Sequence, residues 1–171
     1  VAKKQYEKFA GYHSLFGRLS EETLELSNKL IEVSPFKEGR VFFCNSGSEA
    51  NDTMIKILWM LNSRTGRPKK RKIISRINGY HGVTLGATSM TGKPYNKEFG
   101  LPLSDFIYAD CPHFWKYGKL NETEEDFSIR MADNLEKLIL KEDPSTIAGF
   151  VAEPVQGAGG VIPPSKNYFN L

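Results

Sequence analysis

The 171-residue sequence lacks the features that mark secreted, membrane-spanning and nucleic-acid-binding proteins. It has two cysteines, Cys44 and Cys111, which favours free thiols in a reducing compartment over a disulfide framework. No apolar run reaches the roughly 18 residues of a membrane-spanning helix, and the first residues have no continuous apolar stretch of a signal peptide. The net charge of +3 is too small to indicate nucleic acid or a membrane as a partner. These absences predict a cytoplasmic globular protein.

A glycine-containing motif lacks the lysine that a nucleotide-binding P-loop needs. The stretch CNSGSEANDT begins at Cys44, where a short apolar strand, Arg40–Cys44, is expected to give way to a helix. Main-chain N–H groups in the first helical turn, together with the hydroxyls of Ser46 and Ser48, suit an anion such as a phosphate monoester. The alternative is structural: Ser48 caps the helix and Gly47 only permits the turn. A nucleotide-binding domain is disfavoured, since no Walker lysine, magnesium carboxylate or GxGxxG turn is suitably placed.

Helical and strand patterns alternate along the rest of the chain. A helix is predicted from about Ser20 to Ser34-Pro35, and a second follows SGS with an apolar stripe. A third helix is predicted after Thr123, where TEED resembles a capping box. The predicted strands are Lys72–Ile77, Phe106–Ala109 and Ile147–Ala152, the last nearly all apolar and expected to be buried on both faces. The pattern predicts an α/β fold with a parallel sheet.

Three polar or glycine-rich clusters follow predicted strands: SGS, GYHG and EPVQGAGG. Ligands of α/β sheets bind beyond the carboxyl ends of the strands, so this shared position indicates a binding site. Tyr80 suits stacking on a planar ring, or simple packing at the domain edge. His81 suits acid–base chemistry, or a hydrogen bond to the backbone. The carboxylate of Glu153 is costly to bury unless it is paired, the alternative being a solvated strand end.

Two other motifs have structural interpretations. The basic run Arg67–Lys72 joins a predicted helix to a strand without interleaved aromatic residues, which favours a solvated loop over a nucleic-acid site. The sequence Cys111-Pro112-His113 is too far from other cysteines and histidines to complete a recognisable zinc pattern. No metal is predicted.

Taken in order, three segments resemble class III aminotransferases, the omega or ornithine-type family: FFCNSGSEANDTMIK, INGYHGVTLGATSMTG and VAEPVQGAGGVIPP. The likeness covers essentially the whole chain, including GYHSLF and KPYNKEFGLP, and is greatest to omega-amine–pyruvate transaminases. It implies the large domain of fold type I transferases, a mostly parallel sheet with helices on both faces. It also implies pyridoxal 5′-phosphate as cofactor, whose phosphate is anchored rather than transferred and so needs neither a P-loop lysine nor magnesium.

The resemblance implies cofactor-binding roles for residues of all three clusters. Tyr80 would stack on the pyridine ring with His81 beside it, and Glu153 would orient the family's aspartate that pairs with the pyridine nitrogen. The cofactor phosphate would be held by Ser46, Gly47 and Ser48.

The resemblance also implies a substrate pocket for an amine or amino acid and an oxo acid. The pocket would be bordered by Leu15, Phe16, Tyr95 and Ala158. In this family the pocket forms between the subunits of a homodimer, so part of this wall would serve the neighbouring subunit.

The family's cofactor-binding lysine and its aspartate follow the EPVQGAGG motif, and neither appears before Leu171. No catalytic residue is therefore predicted in this chain. Residues 1–35 are predicted to form an N-terminal helical segment at the dimer and substrate interface, and residues 36–171 an incomplete cofactor-binding large domain without the small C-terminal domain. Two interpretations stay open. The chain is a fragment of a normal enzyme, whose missing part would include any mitochondrial presequence, or it is a short paralogue that binds or dimerises without catalysis. Either way, we expect the chain alone to be inactive and poorly stable.

Overall fold

The computed structural model describes residues 1–11, 17–36 and 38–171. The chain forms two compact units, Val1–Phe43 and Cys44–Leu171. Within the described ranges, no helix has both the length and the apolar character needed to cross a membrane.

The first unit contains two helices, α1 (Ala2–Lys8) and α2 (Glu21–Val33). Helix α2 begins at Ser20, whose Oγ accepts a hydrogen bond from the main-chain N–H of Thr23 at 3.2 Å. Satisfying a free N–H in the first turn fixes the helix start. The helix predicted from about Ser20 is therefore confirmed.

The strand predicted at Arg40–Cys44 is wrong. These residues adopt no regular secondary structure, and the side chains of Phe42 and Phe43 are 71% and 43% exposed. A run of β-branched and aromatic residues becomes a strand only where a neighbouring strand completes its hydrogen bonds. No segment of the described chain pairs with Arg40–Cys44.

The second unit is built on a three-stranded parallel sheet. Its strands are β1 (Lys72–Arg76), β2 (Phe106–Ala109) and β3 (Ile147–Phe150), in the order β2-β1-β3. Strand β1 is therefore central, and its carboxyl end lies between those of its neighbours. The predicted α/β architecture and parallel pairing are confirmed.

Helices precede and connect the strands of the second unit. They are α3 (Gly47–Arg64), α4 (Leu85–Met90), α5 (Phe114–Tyr117) and α6 (Glu124–Lys141), with short 3₁₀ helices at Pro94–Phe99 and Pro144–Thr146. The capping box before α6 is confirmed, because Thr123 and Asp126 each bind the other's main-chain N–H. The fixed start of α6 places Phe127 in the interior.

The hydrophobic core of the second unit joins α3, α4 and the sheet. It consists of Ile55, Ile73, Met90 and Phe106. The prediction that the helix after SGS is amphipathic is confirmed: α3 buries Ile55 and packs Met54 and Leu58 against the core. Its apolar residues Ile57 and Leu61 are each 51% exposed.

Strand β3 is less buried than predicted. Its first three residues are partly exposed and Phe150 at its end is 39% exposed, so the expectation of burial on both faces is wrong. Among the described residues β3 pairs only with β1, which leaves its other edge without a partner strand. The pairing continues one residue further, where the N–H of Val151 donates to the carbonyl of Ile74 at 2.8 Å.

Candidate functional site

The N-terminus of α3 is capped by Ser46. Its Oγ accepts a hydrogen bond from the N–H of Glu49 at 3.2 Å, and the Glu49 carboxylate accepts one from the N–H of Asn45 at 2.9 Å. The expectation that Ser48 provides the cap is therefore corrected. Ser48 lies two positions after the cap, within the first turn, where its hydroxyl is available for another contact.

Ser48 contacts the loop that follows β1. Its Oγ accepts a hydrogen bond from the N–H of Val83 at 3.0 Å. A Cβ built on Gly82 would lie 2.4 Å from the same oxygen, so only glycine permits this approach. Because that oxygen accepts the Val83 N–H, its own hydrogen remains to be donated. The structure thus brings the SGS and GYHG clusters together.

Two residues that the sequence did not single out secure this contact. The side-chain amide of Asn51 donates to the carbonyl of His81 at 2.6 Å, and the Asp52 carboxylate accepts from the N–H of Ala87 at 3.0 Å. They lie three and four residues after Ser48, hence on the same helix face. This spacing within CNSGSEANDT is the signal that could have identified them.

The Glu153 carboxylate joins the second cluster to the third. One oxygen accepts from the N–H of Tyr80 at 2.9 Å, and the other accepts from the N–H of Gly157 at 3.0 Å. The solvated strand end is therefore the less suitable interpretation, since both oxygens are bound to main-chain amides. Such charge-assisted hydrogen bonds are stronger than neutral ones.

Tyr80 lies beside a cavity of about 350 Å³ on the second unit. Tyr95 contributes to the same cavity, which is otherwise lined by Gly82, Val83, Leu85, Thr88, Thr91, Asn96, Phe99 and Leu101. The Tyr80 side chain is 41% exposed, so its ring is accessible. The cavity offers mainly apolar groups next to the glutamate-bound loop.

The other residues predicted to border the substrate pocket are Ala158, Leu15 and Phe16. Ala158 is exposed, and its carbonyl accepts a hydrogen bond from the Lys93 ammonium at 3.1 Å. Leu15 and Phe16 lie outside the described residues. The described part of the chain contains no group of three or more metal-ligating side chains.

His81 is partly buried beside this loop. Its main-chain N–H donates to Thr91 Oγ1 at 2.9 Å. Burial lowers the pKa of the imidazole below its ordinary value; the Glu153 carboxylate opposes this change and the Arg76 guanidinium adds to it. The neutral imidazole is thereby favoured.

We expect this lowered pKa to make the protein less stable in mild acid. The unfolded chain takes up the His81 proton near the ordinary value of about 6.5, whereas the folded chain does so only at lower pH. The stability that depends on a neutral His81 is thus fully present above the unfolded pKa of about 6.5. It is lost as the pH falls toward the lower pKa of the folded chain. Thermal midpoints measured from pH 7.5 to 5 should fall less steeply for His81→Gln than for the wild type. Parallel curves would contradict this prediction.

The donors at the site fit a phosphate ester attached to a flat ring. Among the described residues, no hydrogen bond occupies the main-chain N–H groups of Gly47 and Ser48. These groups open at the helix N-terminus, which attracts anions. Tyr80 lies on the loop whose Val83 N–H donates to Ser48, so the loop with the aromatic ring contacts the start of α3.

Comparison with known families agrees with this geometry. The family model described as "Aminotransferase class-III" matches residues 1–171. The chain belongs to this family. The family implied by the sequence resemblance is thereby confirmed.

Class III aminotransferases of known structure share the fold of this chain. An omega-aminotransferase from Paracoccus denitrificans has a TM-score of 0.94 and 62% identity, over 99% of this chain and 38% of that one. The "PMP-bound form of Aminotransferase" from Vibrio fluvialis likewise has a TM-score of 0.94 and 62% identity, over 99% of this chain and 37% of that one.

A curated relative is the gamma aminobutyrate transaminase 3 of Solanum lycopersicum. It is 50% identical to this class III chain over 171 residues, which cover 99% of this chain and 33% of that protein. The chain therefore spans about a third of the length of the curated relatives that it matches.

Proposed function

We propose that this chain is the N-terminal part of a transaminase that moves an amino group between an amine or amino acid and an oxo acid such as pyruvate. One observation carries the proposal: the Ser48 hydroxyl accepts the N–H of Val83, three residues after Tyr80, which brings the proposed phosphate donors next to the loop of the proposed stacking ring. Family membership over the whole chain supports it.

The residues of this chain would bind and orient pyridoxal 5′-phosphate. Tyr80 would lie against the ring with a neutral His81 beside it, while Glu153 keeps the Tyr80 loop in place. The phosphate would be held by Ser46, Gly47 and Ser48. When bound, the cofactor supplies the electron sink on which amino transfer depends.

The substrate pocket would combine residues of this chain with others. We propose that Leu15, Phe16, Tyr95 and Ala158 border it. The apolar cavity beside Tyr80 and Tyr95 supports an omega-amine donor with an apolar substituent. Structural neighbours include enzymes called omega-transaminases, whereas the curated relatives are called gamma-aminobutyrate transaminases, so both donor classes belong in the test.

The assembly and domain arrangement are parts of the same proposal. We propose a homodimer with residues 1–35 at its interface and residues 36–171 as part of the cofactor-binding domain. A cytoplasmic location remains a prediction, since plant relatives are called chloroplastic or mitochondrial. A non-catalytic binding or dimerisation module is the alternative function.

The proposed function predicts different behaviour for the chain and for the full-length protein that would contain it. With cofactor and pyruvate, the full-length protein should form alanine from an omega-amine or from gamma-aminobutyrate, as measured by chromatography. The 171-residue chain should form none, because the family's cofactor-binding lysine is not in it. Turnover by the purified chain would contradict the assignment of that lysine.

A binding measurement distinguishes the alternative function. Pyridoxamine 5′-phosphate needs no lysine for binding, so its fluorescence should report an association with either protein. If the full-length protein binds this probe but transfers no amino group, the non-catalytic module is supported. If neither protein binds it, the cofactor assignment fails.

A further inference from the structure

Arg76 is a buried cation at the centre of the proposed site. It is the last residue of the central strand β1, and only 1% of its surface is exposed. Alternation along β1 places it on the face opposite Ile73 and Ser75, hence opposite the core that contains Ile55. A buried charge is costly unless several partners surround it.

The described partners of Arg76 are few and are not acidic. Nη2 donates to the main-chain carbonyl of Glu153, and the guanidinium carbon lies 5.6 Å from the ring centres of Tyr168 and Phe169. Nη1 is buried without a hydrogen-bond partner among the described residues. Ion pairs of the described chain do not include Arg76. Fold stability alone therefore does not account for a guanidinium here, since an apolar side chain would avoid its desolvation.

Arg76 is hydrogen-bonded to two of the clusters, GYHG and EPVQGAGG. Its side chain binds the Glu153 carbonyl, and its own carbonyl accepts from the N–H of Gly79 at 3.0 Å. Gly79 immediately precedes Tyr80, whose N–H binds the Glu153 carboxylate at 2.9 Å. One residue thus closes a ring of contacts around Tyr80 and Glu153.

We propose that Arg76 is a positioning residue that fixes Glu153 and, through its carboxylate, the Tyr80 loop against which the cofactor ring binds. This inference rests on the proposed function for its ligand. Arg76 acts at the end of the site where the cofactor ring would bind, whereas the Ser48 contacts act at the end where its phosphate would bind. Without Arg76, the end of β3 would be free to shift, and the Glu153 carboxylate would no longer meet the N–H groups of Tyr80 and Gly157 together.

The test measures pyridoxamine 5′-phosphate affinity in the full-length protein by fluorescence titration. Arg76→Gln should weaken binding about ten- to a hundredfold, the range for losing a charged hydrogen bond. Arg76→Lys keeps a cation that can reach the carbonyl and should restore most of the affinity. Arg130→Gln removes a guanidinium paired with Glu122 at 2.6 Å, whose described hydrogen bonds go to Glu122 and Tyr117 and not to the Tyr80 loop, and serves as the matched control.

A double-mutant cycle tests whether Arg76 acts through Glu153. In a Glu153→Ala background, Arg76→Gln should weaken binding by less than about twofold, because coupled residues are not additive. An undiminished effect in that background would overturn the proposal. Unchanged affinity in the single variant would also overturn it.

Hydrogen exchange provides a readout that does not depend on the cofactor. Peptides covering residues 78–82 and 153–158 should exchange about tenfold faster in Arg76→Gln, since the Tyr80 and Gly157 amides lose a fixed acceptor. Peptides covering α3 should be unchanged. Faster exchange in a protein that binds no pyridoxamine 5′-phosphate would refute the proposed function while supporting the positioning role. Unchanged exchange, or loosening of the whole fold in both Arg76→Gln and Arg76→Lys, would refute the positioning role.

Discussion

Replacing Gly82 with alanine should abolish measurable binding of pyridoxamine 5′-phosphate and destabilise the second unit. The new Cβ would lie 2.4 Å from Ser48 Oγ and 3.1 Å from Ser48 Cα, while Gly82 itself has a φ of +129°. The clash and the backbone strain together should cost about 2–5 kcal/mol. Relief requires the Tyr80 loop to move away from α3, which separates the ring from the phosphate donors. Fluorescence titration and thermal unfolding of the full-length protein measure the two effects.

Gly160 provides a matched control for the strain component. Its φ is +123°, yet a Cβ there would meet only Ile162 Cγ1 at 3.9 Å, an ordinary contact. Gly160→Ala should therefore lose stability through backbone strain alone, without a steric clash. Equal losses of stability in the two variants would show that the contact between Gly82 and Ser48 has no special effect.

Replacing Gly92 with alanine should be at least as damaging to stability. A Cβ at this position would lie 2.2 Å from the Arg76 carbonyl oxygen and 2.9 Å from Ile77 Cα. Both are main-chain atoms of the central strand and its extension, so they cannot rotate away as a side chain would. The substitution should cost about 3 kcal/mol or more, measured by thermal unfolding.

The damage should extend to the site, because Gly92 also binds the turn before Tyr80. Its N–H donates to the Gly79 carbonyl at 3.1 Å, and its carbonyl accepts from the N–H of Asn78 at 2.8 Å. Gly149→Ala is the matched control, with a glycine in the same sheet and a Cβ 3.8 Å from Leu58 Cδ2. If Gly92→Ala and Gly149→Ala unfold at the same temperature, the predicted clash with the main chain of Arg76 and Ile77 is contradicted.

The sequence predicted elements whose determinants are local. Helix α2 begins at Ser20 and the capping box precedes α6, because both depend on residues within one turn. The prediction of a strand at Arg40–Cys44 was wrong, because the apolar character of a segment does not ensure that a neighbouring strand pairs with it. The burial of β3 was overestimated for the same reason: whether a strand lies at the edge depends on residues distant in sequence.

The candidate site was predicted by resemblance, but its internal contacts were not. Periodicity places Ser48 near the start of α3, yet a two-residue difference in the helix start decides whether Ser46 or Ser48 is the cap. The contacts of Asn51 and Glu153 connect residues 30 and 73 positions apart, respectively. Such pairings appear only once the strands are in register.

Helix α3 carries the proposed phosphate donors and also the side chains of Ser48 and Asn51, which hydrogen-bond to the Tyr80 loop. Each residue of an α-helix turns the chain by about 100°. Inserting a single residue between Ser48 and Asn51 would therefore rotate Asn51 away from the His81 carbonyl while Ser48 stays beside Val83. Length variation should consequently be excluded within this turn of α3, yet better tolerated around Pro68 and Lys69, which lie in an exposed segment outside any helix or strand.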